Sequence, residues 1–211
     1  IGTDNGPTIF YSSYPIFNET TFDSQNVLIE VDGTLQYLLS NEIITDIEID
    51  GANRKWIATD GGGLFLLSED GAETIYSFSK DNSPLYSNKI ISLAINNQNG
   101  ELFIGTDRGI LGYKSSAISS NIEFINLHVY PNPVRPDYHG NIAITGMTKN
   151  AEVKITDASG FLIKTIFSDG GQAIWDGKDR NNQIVGSGIY YFFATSQDGY
   201  SNGKSKVLII R

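Results

Sequence analysis

One short phrase returns three times in this chain: Ile1-Gly2-Thr3-Asp4-Asn5-Gly6, Ile57-Ala58-Thr59-Asp60-Gly61-Gly62 and Ile104-Gly105-Thr106-Asp107-Arg108-Gly109. Self-similarity at a fixed interval is the signature of a repeat architecture. The threonines lie 56 and 47 residues apart, close to the roughly 40–50 residues of one four-stranded propeller blade. At the shorter offset the overlay extends further: Asn41-Glu42-Ile43-Ile44-Thr45 falls on Asn88-Lys89-Ile90-Ile91-Ser92, and Trp56-Ile57-Ala58-Thr59-Asp60 on Phe103-Ile104-Gly105-Thr106-Asp107. The first copy begins in mid-phrase, which predicts a piece of a longer protein cut inside a blade.

Each unit reads as strand, turn, strand, glycine turn, strand, over 43–49, 55–59 and 63–67 and again over 90–95, 102–106 and 109–113. Asp50-Gly51-Ala52-Asn53 and Asn96-Asn97-Gln98-Asn99-Gly100 supply the turns, because Asn, Asp and Gly tolerate tight or left-handed backbone. Short apolar alternation rich in Ile, Leu, Phe and Trp favours strands, and no 3.6-residue period stands out. Residues 27–39 predict a hairpin turning at Asp32-Gly33, and 73–79 an outer strand. Ser-rich 115–126 reads as the exit from the repeats.

From Leu127 the texture changes. Tyr130-Pro131-Asn132-Pro133-Val134 predicts a stiff extended stretch, since a residue before proline avoids the helical region. Apolar runs at 141–147, 151–156, 161–167, 172–175, 188–195 and 206–210 follow, with turn signals at Asp157-Ala158-Ser159-Gly160, Asp176-Gly177 and Asp198-Gly199. That spacing predicts a small antiparallel, immunoglobulin-like sandwich of about seven strands. The expected fold class is therefore all-β: a partial β-propeller (about two blades plus strands of a third) followed by an immunoglobulin-like β-sandwich. The expected domains are 1–118 for the blades, 119–127 for a linker and 128–211 for the sandwich.

Composition excludes several classes of function. The formal net charge of −9, from 24 acidic and 15 basic residues, argues against nucleic acid, which is held by clustered Lys and Arg. There is no cysteine, so disulfides, thiolate metal sites and Cys nucleophiles are out. No apolar run approaches the ~20 residues of a helical membrane span.

The 41–67 and 88–113 units resemble the two-component regulator propeller repeat, with Trp56, Thr59, Gly62, Gly63 and Leu64 in its pattern. Asn53 stands where that repeat has a turn Gly, and Phe103 where it has Trp. Residues 129–211 resemble the C-terminal domains of type IX secretion proteins of Bacteroidetes. The phrases that carry this are Val129-Tyr130-Pro131-Asn132-Pro133-Val134, Val153-Lys154-Ile155-Thr156-Asp157-Ala158-Ser159-Gly160, Trp175-Asp176-Gly177, Ser187-Gly188-Ile189-Tyr190 and Lys206-Val207-Leu208-Ile209-Ile210. Blades followed directly by such a domain resemble the PorZ family of surface components of that system. The resemblance implies two propellers and a terminal sandwich, a cell-surface place at the outer membrane, and a non-enzymatic role. Its implied partners are an outer-membrane sortase complex and anionic lipopolysaccharide, to which cargo is attached.

Two other readings stay open on the residues. One is the glycan-sensing periplasmic propeller of a hybrid two-component system, which predicts a membrane span and kinase after the sandwich. The chain instead stops at Arg211 after an apolar strand, which reads as a natural C-terminus. The other is a secreted glycan-active protein carrying the sandwich as a sorting domain, with its catalytic residues upstream of Ile1.

No catalytic, cofactor or metal residues are assigned. A hydrolase needs a nucleophile beside a base, or two carboxylates in a cleft, and no acidic residue falls in such a motif. Trp56 and Phe103 could form a stacking wall for a ligand, but each blade needs a buried aromatic, so both are expected in the core. The Thr-Asp-Gly phrases could hold a cation but are explained as turns. Asp176, Asp179 and Asn181 look like half a calcium loop without its alternating oxygens or closing Glu. His128 and His139 lack a third ligand. Asn18-Glu19-Thr20 is a chance-level glycosylation sequon. Tyr190-Tyr191-Phe192-Phe193 on one strand should place two rings inside and two outside, the outer pair free for a glycan or partner.

Overall fold

The structure, a computed structural model, describes residues 1–10, 12, 23–31 and 33–211, and over these the protein is all-β, with nineteen strands and no helix. The sequon at 18–20 and Asp32 lie outside the described residues. The chain divides into two compact units. Unit 1 is Ile1–Asn96 with Glu101–Lys114, and unit 2 is Asn97–Gly100 with Ser115–Arg211.

In unit 1, β1 (Gly2–Thr3), β2 (Gly6–Ile9) and β3 (Gln25–Asn26) form one small sheet, and β4 (Leu28–Val31) and β5 (Thr34–Tyr37) a hairpin. A four-stranded antiparallel meander follows: β6 (Ile44–Ile49), β7 (Lys55–Thr59), β8 (Leu64–Leu67) and β9 (Thr74–Phe78). A three-stranded one closes the unit: β10 (Ile90–Asn96), β11 (Glu101–Thr106) and β12 (Gly109–Lys114). These strands fall within a residue or two of the spans read from the repeats.

Specific side chains make the turns. Asp50 accepts the amides of Ala52 at 2.9 Å and Arg54 at 3.0 Å on one carboxylate oxygen, and Arg54 Nε at 2.8 Å on the other. The ion pair is buried and doubles as a clamp on the β6–β7 turn. Asn53, the departure from the repeat's glycine, has φ 63°, and Gly100, 47 positions on, has φ 71°. Both stand in the left-handed region, which Asn tolerates better than other non-glycine residues. The repeated threonines are turn locks: Thr3, Thr59 and Thr106 donate their hydroxyls to the carbonyls of Gly6 (2.6 Å), Gly63 (2.9 Å) and Gly109 (2.8 Å). Gly63 has φ 97°, and a Cβ there would lie 2.2 Å from the Phe78 carbonyl oxygen, so no side chain fits.

Unit 2 is one nearly closed seven-stranded antiparallel sheet. Its strands are β13 (His128–Tyr130), β14 (Ile142–Thr145), β15 (Glu152–Thr156), β16 (Leu162–Asp169), β17 (Gln172–Trp175), β18 (Gly188–Thr195) and β19 (Asn202–Ile209). Their spatial order is β13-β14-β17-β16-β15-β18-β19. β16 turns the corner: Leu162 to Phe167 pair with β15, while Ser168 and Asp169 pair with β17. A parallel bridge from Val134 to Ile209 brings the chain after β13 back to β19. The enclosed core is built on Trp175, Phe192, Ile144, Ile155, Val207 and Ile209. The Trp175 indole donates to the Lys178 carbonyl at 2.8 Å, so its polar edge is satisfied.

Two expectations need correction. The stretch from Tyr130 to Val134 is not extended throughout: β13 ends at Tyr130, residues 131–133 bend, and the Tyr130–Pro131 and Asn132–Pro133 bonds are cis. The last strand begins at Asn202, because alternation with polar Lys204 and Lys206 hid its first half. Residues 115–126, read without a strand pattern, form no named strand; Asn121 and Ile125 donate amides to Met147 and Gly146, and the Ile118 carbonyl accepts from Gly171.

Candidate functional site

The two repeat aromatics have different fates. Trp56 is fully buried; its ring stacks on Phe78 and meets Tyr113 edge-on, with centroids 6.3 and 5.5 Å away. Phe103 is 44% exposed, which corrects its placement in the core. Side chains alternate across a strand. On β7, Trp56 and Ala58 enter the cluster shared with Leu93, Leu102 and Ile104, while Ile57 on the opposite face joins Leu38 and Leu67. On β11, Leu102 and Ile104 take the inner side, and Phe103 stands on the uncovered one with Ile91 and Ile110.

The acidic loops spend their oxygens on their own backbone. Asp157 accepts the Ser159 and Phe161 amides and the Ser159 hydroxyl, and Asp198 the Tyr200 amide and the Ser196 hydroxyl. The hydroxyl bonds come first among the causes that hold both carboxyls below the ordinary range. Asp179 accepts from Asn181 and Gln183, and Asp176 binds the Lys164 ammonium at 2.9 Å. His128 and His139 are both exposed, and His128 stacks on Tyr130. Among the described residues no group of three His, Cys, Asp or Glu could hold a metal ion.

One apolar cavity in unit 1, bounded by Phe78, Leu85, Ile104, Leu111 and Tyr113, encloses about 110 Å³, below the ~300 Å³ at which organic ligand sites begin. A second, between Ile9, Val27, Leu38, Ile57 and Leu67, encloses about 310 Å³ and stands at that threshold without, among the described residues, a cluster of polar groups aimed into it.

A flat face of unit 2 has more to offer chemically. Tyr190 and Phe192 are buried, while Tyr191 and Phe193 point outward, as strand alternation dictates. Directly opposite them across the sheet stand lysines: Tyr191 faces Lys206, and Phe193 lies between Lys154 and Lys204. Glu152 is the carboxylate on this face, 3.5 Å from Lys154 in an exposed pair. Among the described residues, none pairs with the Lys204 or Lys206 ammonium groups. The sequence reading expected two of the four consecutive rings to face outward without deciding which, and it missed the lysines, since Lys154 lies some 50 residues before Lys204 and Lys206 and meets them only through strand register.

Sheets with register-locked repeats, then a nearly closed sheet with polar turns and a mixed basic and aromatic face, define an all-β chain. Over its whole length it is PorZ-like. It aligns in full with 28% of PorZ, an essential bacterial surface component of the type-IX secretion system of Porphyromonas gingivalis, at 33% identity and a TM-score of 0.64. The chain thus spans somewhat over a quarter of that protein. Extracellular domains of the hybrid two-component systems BT4673 and BT3049 of B. thetaiotaomicron align with 85% and 81% of this chain and 27% and 33% of their own. Their identities are 13% and 15% and their TM-scores 0.30 and 0.33, too low to bear on this chain. No family model and no curated protein matches the sequence.

Proposed function

We propose that this chain is part of a non-enzymatic cell-surface component of a type IX secretion system, associated with the outer membrane. It would bind partner proteins of the sortase complex and anionic lipopolysaccharide for cargo attachment. The observation that carries the reading is the likeness to PorZ over the whole of this chain at 33% identity. In this reading residues 1–118 are propeller blades, 119–127 a linker and 128–211 an immunoglobulin-like sandwich. The exposed side of β11 supports the propeller: among the described residues no sheet covers Phe103, at the repeat position of buried Trp56, and a blade buries its apolar faces only by stacking on its neighbours.

The test is affinity purification of the tagged full-length protein from detergent-solubilised membranes, with mass spectrometry and lipopolysaccharide blotting. Recovery of an outer-membrane barrel, a sortase and lipopolysaccharide is the expected result. Recovery of the protein without any of them would sink the proposal.

A further inference from the structure

We propose that the outward face of β15, β18 and β19 is a binding site for an anionic glycan, a polysaccharide carrying carboxylate or phosphate groups. Lys154, Lys204 and Lys206 would hold the charges, and Tyr191 and Phe193 would stack on the sugar rings. The inference rests on the glycan half of the function proposed above and gives it a place.

Three observations carry it. The first is charge. Unit 1 has sixteen Asp and Glu against six Lys and Arg, whereas unit 2 has eight against nine. The acidity of the chain thus sits in unit 1, and the three lysines share a face with a single glutamate. Exposed like charges gathered on one face raise the local concentration of a ligand of opposite sign.

The second is interleaving. Lys154, Phe193 and Lys204 are direct cross-strand partners in one row, and Tyr191 and Lys206 in the next. Directly opposed side chains on a sheet lie about 5 Å apart, so each outward ring has a cation beside it. Aromatic rings present apolar faces to which sugar C–H groups can pack, and lysine is a flexible point charge for carboxylate or phosphate. An acidic peptide would use the lysines and leave the rings without a role.

The third is the covered edge. Asn132 donates to the Lys206 carbonyl and accepts the Leu208 amide, while Val134 pairs with Leu208 and Ile210. The outer edge of β19 is therefore already paired over these residues, and a guest strand cannot add there. A ligand must be read by the side chains of the face.

The experiment is calorimetric titration of the 211-residue chain with oligogalacturonate and with phosphomannan, using neutral dextran and polyglutamate as comparisons. The variants are the double substitution Lys204→Gln/Lys206→Gln and the single Phe193→Thr, each checked for an unchanged melting temperature. The inference expects binding of at least one anionic glycan and none of dextran, with the double variant weaker by about ten-fold or more, equivalent to roughly 1.4 kcal/mol. Phe193→Thr should also weaken binding. If the parent binds and both variants bind equally well, the site lies elsewhere and the glycan half of the function survives. If polyglutamate binds as tightly as the glycan, the face recognises charge alone and the inference falls. If the parent binds neither glycan, the inference and the glycan half of the function fall together, and the protein partners are judged by the purification alone.

Discussion

The sheet β6–β9 and the sheet β10–β12 are written in nearly the same words, yet one is covered on both faces and the other on one. In the first, Trp56, Ile57, Ala58 and Thr59 are all buried in succession. In the second, Leu102, Ile104 and Thr106 are buried and Phe103 is not. A strand buried on both faces reads as a continuous apolar run, and one buried on a single face reads as alternation. Phe103 and Ile104 are apolar, like their counterparts Trp56 and Ile57, so the difference comes from the neighbour and not from the strand. A repeat sequence specifies what each face wants, and the fold decides which faces receive it.

The largest test of this contrast is a pair of truncations. Trp56→Ala empties a fully buried site and should cost about 3–5 kcal/mol, as large-to-small changes of buried aromatics do. Phe103→Ala, at the matching repeat position, should stay within about 0.5 kcal/mol, as surface substitutions do. Hydrogen exchange of the β7 and β11 amides in each variant reads the two sheets separately. Equal costs would mean that the outer face of β11 is covered in solution.

The turns come next. Asn53 and Gly100 share a left-handed backbone, but their surroundings differ. A Cβ on Gly100 would sit 2.7 Å from the Ala117 carbonyl oxygen, whereas Asn53 is exposed with its own Cβ in place. Gly100→Asn should therefore destabilise by about 1–3 kcal/mol, while Asn53→Gly costs no more than a few tenths. Thermal melts of the two variants check this, and symmetric effects would show the two turns to be interchangeable.

A smaller effect separates the threonines from a cation-binding role. Thr59→Val keeps the shape of the side chain and removes the hydroxyl that reaches the Gly63 carbonyl at 2.9 Å. The loss should be about 1 kcal/mol, that of one buried hydrogen bond, and calcium should shift the melting temperature of neither parent nor variant. A calcium shift present in the parent and absent in Thr59→Val would overturn the reading of these phrases as turn locks.

Much of the fold was legible because its determinants are local. Strand period and Asx or glycine turns are short-range properties, so the strands of both units fell close to their expected spans. The misses share a different cause. Phe103 depends on a sheet that does or does not follow it. The lysine face depends on pairing Lys154 with residues half a hundred positions later, a matter of register. The bend after Tyr130 goes with partners far along the chain, Asn132 reaching Lys206 and Leu208 and Val134 pairing with Leu208 and Ile210. The candidate site was therefore half visible: alternation along β18 sends one pair of its four rings outward, and only the assembled sheet decides that the pair is Tyr191 and Phe193 and supplies their cations.

Acid offers the mildest way to separate the two units. In unit 2, hydrogen bonds from Ser159 and Ser196 are the main causes that hold Asp157 and Asp198 below the ordinary carboxyl range. Burial pushes Asp176 up, but Lys164 and the Lys178 amide bring it down overall. A carboxyl depressed in the folded state contributes stability that is present above its unfolded pKa, near 4, and lost as the pH falls through its folded value. In unit 1, Asp70 is lowered in the same way, chiefly by Ser68, whereas Glu48 is raised, chiefly by burial and then by Asp46. Glu48 favours folding when protonated, so acid offsets part of the loss there. Unit 2 should accordingly loosen at a higher pH than unit 1 as the pH drops below about 4. Each unit holds one tryptophan, so Trp56→Phe and Trp175→Phe yield chains whose fluorescence reports unit 2 and unit 1 respectively. The difference should be small, because the depressed groups lie at or near the surface and water screens them. A Trp56 signal that changes before that of Trp175 would reverse the assignment.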